Sequence, residues 1–251
     1  TAYEIRPRDW SSDVCSSDLS YQVNDRKRQI APETPGRAEL GLPEDGFVFC
    51  SFNNNYKIMP DTFDIWMRLL TNIEASVLWL TQTTPAAINN LRREAADRGV
   101  SGDRLIFAPF IPSNEDHIAR LALADLFLDT LPYNAHASAC DVLWAGVPIV
   151  TATGRTFAGR VGASLLAALD MPELVAADMQ GYETLALALA RTPEKLAAVK
   201  AKLARNRETS PLFDTARFTR NLETAYFSMW ERHRRGDQPA SFAVEDAVSA
   251  S

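Results

Sequence analysis

The sequence predicts an α/β fold, a doubly wound parallel sheet with extra C-terminal helices. Two observations predict it. Along residues 47–176, short apolar runs of strand length alternate with longer segments of helical period, the pattern of parallel strands joined by crossover helices. The clearest instance lies mid-chain. Leu126-Phe127-Leu128 is a continuous apolar run, as expected of a strand buried on both faces. Pro132, Asn134 and His136 then break it, and Ser138 is expected to cap a helix that Gly146 and Pro148 stop.

The remaining elements follow in order. Phe47 to Phe52 reads as the first strand and Asn53 to Ile58 as the loop after it. Pro60 suits the first turn of a helix reaching about Thr71, with Phe63, Trp66, Leu69 and Leu70 on one face. Val77 to Leu80 is the second strand. Pro85 opens a helix to about Arg98, closed by Gly99, and Leu105 to Phe107 is the third strand. Ser113 is a natural cap, with Asp116 three residues on in a capping-box-like pattern. After Leu126 to Leu128 come strands at Val147 to Val150 and Leu174 to Ala176, with a helix through Leu169 between them. Helices are expected over Met179 to Arg191, Pro193 to Arg207 and Thr215 to Arg234. The count is six strands, with right-handed crossovers.

The expected organisation is a leader over 1–20, a polar, Pro-rich linker over 21–46, a nucleotide-sugar-binding lobe over 47–235 and a disordered tail over 236–251. The leader has no helical or strand period. Its stretch Asp13 to Leu19 can be back-translated to a string resembling a sequencing adapter, so a non-native or disordered leader is expected there.

Composition narrows the function. The 251 residues carry a formal charge of -6 with the basic residues dispersed, which argues against a nucleic-acid surface. No apolar run approaches the ~18 residues of a membrane span, and no secretory signal is evident. The three cysteines, Cys15, Cys50 and Cys140, lie far apart and suggest neither disulfides nor zinc, so the cytoplasm is the expected location. The dinucleotide and P-loop glycine signatures and the G-x-S-x-G elbow are missing, and no cluster of metal ligands is evident.

Several residues nonetheless point to an anion. In an open parallel sheet, strand-to-helix loops gather at the carboxyl edge, where helix N-termini present free N–H groups and partial positive charge. His136-Ala137-Ser138 reads as such a phosphate-facing start. Lys57, in an Asn-rich loop after a strand, reaches a phosphate or is an ordinary surface lysine. His117 and Arg120 share a helix face and, with the loop Phe110-Ile111-Pro112, form the wall of a base pocket or a solvated helix start. Asp141 accepts from ribose hydroxyls or pairs with an arginine. Arg155 and Arg160 add positive potential or are plain surface residues.

Three stretches carry a resemblance: Phe49 to Ile58, Asp141 to Thr151, and Ser210-Pro211-Leu212-Phe213-Asp214. Over about Tyr21 to Pro239 the chain resembles the C-terminal catalytic lobe of the protein O-linked N-acetylglucosamine transferases, including the SPINDLY-like ones. Members have a tetratricopeptide superhelix followed by two Rossmann-like lobes of GT-B type. The resemblance implies a UDP-N-acetylglucosamine donor on this lobe, and transfer with inversion to a serine or threonine hydroxyl without a metal. The protein acceptor would be held by the other lobe and the superhelix. It implies that Lys57 contacts the diphosphate and supports departure of UDP, and that Asn54 approaches the phosphates where many members have glutamine. It further implies that Ile111 meets uracil through its backbone, with His117 and Arg120 beside it. His136, Ala137 and Ser138 would lie under the phosphates and Asp141 on the ribose. Ala137 and Ser138 stand where the family often has two threonines, and a ribose-contacting lysine is replaced near Asn114. A GT-B transferase using GDP-fucose or UDP-glucose, or a non-catalytic nucleotide-binding scaffold, are the alternative functions.

Overall fold

The computed structural model of the chain describes Ser20, residues 22–240, Phe242 and Val244. The expected leader, apart from Ser20, and much of the expected tail lie outside these residues. Six strands, β1 (Val48–Ser51), β2 (Val77–Thr81), β3 (Leu105–Ala108), β4 (Leu126–Leu128), β5 (Ile149–Ala152) and β6 (Val175–Ala176), form one sheet in the order β3-β2-β1-β4-β5-β6. Every pairing is parallel: Cys50 faces Trp79 and Phe127, Phe127 faces Ile149, and Thr151 faces Val175. The central strands are buried at every position, which is why they read as unbroken apolar runs.

Among the described residues there are eight α-helices: α1 (Pro60–Asn72), α2 (Pro85–Asp97), α3 (Asn114–Leu121), α4 (Ala137–Trp144), α5 (Val161–Ala168), α6 (Met179–Arg191), α7 (Pro193–Thr209) and α8 (Thr215–Arg234). Helix α1 buries Phe63, Trp66, Leu69 and Leu70, the expected stripe. It meets α6 through a buried pair in which Trp66 Nε1 donates to the Tyr182 hydroxyl at 3.2 Å. Ser113 caps α3 by accepting from the Asp116 amide at 3.2 Å. Gly146, at φ 86°, closes α4 in the left-handed conformation that a Cβ disfavours.

Two expectations shift. Ser138 is not the cap of α4: His136 holds that position without a side-chain capping bond, and Ser138 lies inside the first turn. The fifth strand starts at Ile149 because Val147 and Pro148 are spent on the turn, Val147 N donating to Val142 O at 3.1 Å.

The stretch expected as a linker lies along the lobe. Arg37 donates to Gly46 O (2.8 Å), Leu123 O (2.9 Å) and Asp125 Oδ2 (2.9 Å), and the same Asp125 oxygen accepts from Val48 N, fixing the entry to β1. Further upstream, Asn24 donates to Leu212 O and Ala31 N to Glu115 O.

The order of the strands decides where a ligand can sit. The connection from β1 runs outward to β2, and that from β4 runs the other way to β5. The loops leaving β1 and β4 therefore diverge, and a crevice opens between them at the carboxyl edge.

Candidate functional site

The loop after β1 brings Lys57 over this crevice. A short 3-10 turn, Asn55–Lys57, lifts the lysine, whose ammonium donates to Asn134 O at 2.9 Å and to Asn53 Oδ1 at 3.4 Å. It also lies 4.1 Å from the centre of the Tyr133 ring, a cation–π contact. Burial lowers the Lys57 pKa, and the buried carboxylate of Asp129 opposes that shift. The lysine is thus a half-buried cation held in one place at low entropic cost to a ligand.

Opposite it, the loop after β4 delivers the start of α4. The amides of Ala137 and Ser138 lie in the first turn of the helix, where no intrahelical acceptor exists. The Ser138 hydroxyl points to Asn53 Oδ1 at 3.5 Å, so one amide oxygen is shared by Ser138 and Lys57 across the β1–β4 gap. His136 stacks on Tyr133, with ring centres 4.9 Å apart and planes at 20°, and its Nε2 donates to Ala158 O at 3.4 Å. Burial lowers its pKa, the hydrogen bond to Ala158 O opposes that shift, and the Lys57 charge adds to it. An ammonium, a helix start and adjacent donors converge here, a combination that binds oxyanions.

A second cluster stands at the other end of the crevice. Arg120 is only 2% exposed and donates to Pro109 O and, at 2.9 Å, to His117 Nδ1; its guanidinium also lies over the Phe52 ring. Arginine is a donor only, so His117 Nδ1 accepts and its proton sits on Nε2. Burial, then the Arg120 charge, lowers the His117 pKa, and the Asp141 charge opposes the shift. Arg120 therefore supports the loop and the imidazole from below. Ile111 is half-buried in that loop, and Asn54 is exposed beside Lys57. Asp141 pairs with Arg28, from the stretch expected as a linker.

The residues that hold these loops are not among the site candidates of the sequence, where Asn134 figures only as a strand breaker. Asp129 follows β4 and is buried; its Oδ1 accepts from Thr130 N (2.8 Å) and Ala135 N (2.6 Å), and its Oδ2 from the Thr151 hydroxyl (2.7 Å). Burial raises its pKa to about 6 against these three donors and Lys57. Asn134 donates to Thr130 O at 2.8 Å and accepts from Gly162 N at 3.1 Å, and Asn53 donates to Thr130 Oγ1 at 2.9 Å. The signal available in the sequence was a run of small polar residues directly after apolar strands.

Gly162 tests how tight this network is. A Cβ there would lie 2.5 Å from Asp129 Oδ2 and 2.7 Å from Thr151 Oγ1. Alanine gains about 1 kcal/mol over glycine in a helix interior, and less in a first turn. The clash in a packed, bonded site costs more, so Gly162→Ala is expected to lose about 2 kcal/mol net. Urea unfolding measures this; an unchanged or raised midpoint would show that the network yields.

Among the described residues, no group of three or more His, Cys, Asp or Glu is arranged to hold a metal ion, and no helix is long and apolar enough to cross a membrane.

A profile of glycosyl transferase family 41 matches residues 23–222. The chain is 40% identical over 230 residues to the probable UDP-N-acetylglucosamine–peptide N-acetylglucosaminyltransferase SEC of Arabidopsis thaliana, covering 89% of this chain and 23% of that protein. It is 38% identical over 200 residues to the UDP-N-acetylglucosamine–peptide N-acetylglucosaminyltransferase of Caenorhabditis elegans, covering 80% and 17%. Among solved structures it is similar to a mutant of Thermobaculum terrenum O-GlcNAc transferase, with a TM-score of 0.74 at 32% identity over 85% of this chain and 40% of that one. The chain spans less than a quarter of the length of these two curated relatives.

Proposed function

The chain belongs to glycosyl transferase family 41, and from that premise we propose that it is the donor-binding lobe of an inverting transferase. The enzyme would move N-acetylglucosamine from UDP-N-acetylglucosamine to serine or threonine hydroxyls of proteins. The observation that carries this reading is the lysine held across the β1–β4 gap from the open start of α4.

In this reading the diphosphate lies between Lys57 and the amides of Ala137 and Ser138, with Asn54 and His136 beside it. Uracil meets the backbone of Ile111 and the imidazole of His117, which Arg120 keeps in place. The ribose reaches Asp141. As an acceptor oxygen attacks C1 from the face opposite the phosphate, the C1–O bond to UDP breaks and its electron pair passes to the departing diphosphate. Lys57 and the helix start stabilise that charge before it develops, which is electrostatic preorganisation. This assigns charge neutralisation to the lysine and helix, and makes the reaction metal-independent. The acceptor side, its general base and the tetratricopeptide repeats are assigned to a further part of the polypeptide, and the location to the cytoplasm. Little or no transfer is therefore expected from these 251 residues alone.

A thermal-shift comparison of UDP with GDP tests the donor. Ligand at about 100 times its Kd stabilises by roughly 2.7 kcal/mol, which for a lobe of this size is about 5–10 °C. UDP is expected to give that shift and GDP little. A folded sample that ignores UDP, or prefers GDP, would overturn the uridine reading.

A further inference from the structure

The donor reading leaves Asp141 with an unexpected partner. Arg28 Nη1 donates to Asp141 Oδ1 and Nη2 to Cys140 O at 3.3 Å. The stretch that carries Arg28 is itself fixed: Trp144 Nε1 donates to Arg28 O at 3.3 Å and Ala31 N donates to Glu115 O at 3.3 Å. It thus runs from the end of α4 to the start of α3, the helix that carries His117 and Arg120.

Resting on that donor reading, we infer that Arg28 is a positioning residue for ribose recognition, acting through Asp141. Two physical reasons support the assignment. Asp141 lies three residues after Ser138, on the same face of α4. An uncompensated carboxylate one turn from the helix start would repel a diphosphate and offset the positive potential that the helix start presents to it. The guanidinium offsets that charge. It also engages one carboxylate oxygen with a planar, always-charged donor, and so fixes the rotamer in which the other oxygen can accept from a ribose hydroxyl. The side chains of both partners are about one-fifth exposed, so the pair is neither freely solvated nor closed to a ligand.

The test measures Kd by calorimetry for UDP and for 2′,3′-dideoxy-UDP, which keeps the diphosphate and base but has no ribose hydroxyl to donate. The wild type is expected to prefer UDP by about tenfold, the scale of one hydrogen bond to a charged group. Arg28→Ala is expected to cut that preference to about twofold or less. In an Asp141→Asn background, Arg28→Ala is expected to leave the ratio where it stands, because the arginine acts through the aspartate. A merely structural role would weaken both ligands alike and preserve the ratio. A preserved ratio overturns the inference, and so does a larger one, which would make Arg28 a competitor of the ribose. If Arg28→Ala does not fold, Arg28→Lys carries the test: it keeps the charge without the fork, and an unreduced ratio overturns the inference equally. A wild type that binds both nucleotides equally removes the ribose role of Asp141 and that of Arg28 with it, while sparing the diphosphate site. A folded wild type that binds neither overturns the donor reading itself.

Discussion

Replacing Lys57 with alanine is expected to lower turnover of a transferase carrying this lobe by about 10²–10³-fold, the typical effect of losing one preorganised donor to a developing anion. The geometry makes the substitution specific. Lys57 contacts Asn134 O, Asn53 Oδ1 and the Tyr133 face, and Asn53 and Asn134 also bond to Thr130, so the loops remain tied without the ammonium. The loss should appear in kcat more than in KM, because the charge on UDP is greatest as the C1–O bond breaks. Arginine should rescue poorly, since a planar guanidinium does not reproduce the compact point charge that the ammonium places against Asn134 O and Asn53 Oδ1. Steady-state kinetics with UDP-N-acetylglucosamine and an acceptor peptide checks this. A Lys57→Ala enzyme within tenfold of wild type would place charge stabilisation elsewhere.

Replacing Asp129 with alanine is expected to destabilise the lobe by roughly 2–6 kcal/mol, because two buried amides, Thr130 N and Ala135 N, lose their acceptor at about 1–3 kcal/mol each. For a lobe of this size the melting temperature should fall by about 5–20 °C. Asp129→Asn should be far milder: its oxygen can keep both amides and its nitrogen can donate to Thr151. The same pair of proteins isolates a pH effect. The folded pKa of Asp129 is raised to about 6 from 3.8, chiefly by burial, so the folded state holds this proton more tightly than the unfolded state. The contribution is therefore fully present below about pH 4, is lost as pH rises to about 6, and is constant above that. Its size is at most about 3 kcal/mol. Wild type should show this decline relative to Asp129→Asn in urea unfolding at stepped pH. Parallel curves for the two proteins would mean that Asp129 titrates alike in both states.

That several candidate residues would share one edge of the sheet was legible before the fold. Lys57 and the His136-Ala137-Ser138 stretch stood out because strand-to-helix loops gather at one edge of a parallel sheet, and the structure brings them to the same crevice. Ser138 was misread as a cap because capping depends on backbone angles, and His136 holds the capping position at φ -113° and ψ -93°. Arg120 was legible as a neighbour of His117 from their spacing, but its burial beneath Phe52 and Pro109 was not. Asn53, Asp129 and Asn134 were not legible as supports of the site because nothing in a row of small polar residues says which of them points inward.

By itself the sequence determined the alternation of strand and helix, the helix stops and the apolar faces, because these follow from local periodicity and backbone chemistry. Tertiary structure alone decided which groups share a partner. Asn53 meets Ser138 across 85 residues and Arg28 meets Asp141 across 113. Contacts at that separation depend on how the sheet orders its strands, which no local pattern encodes.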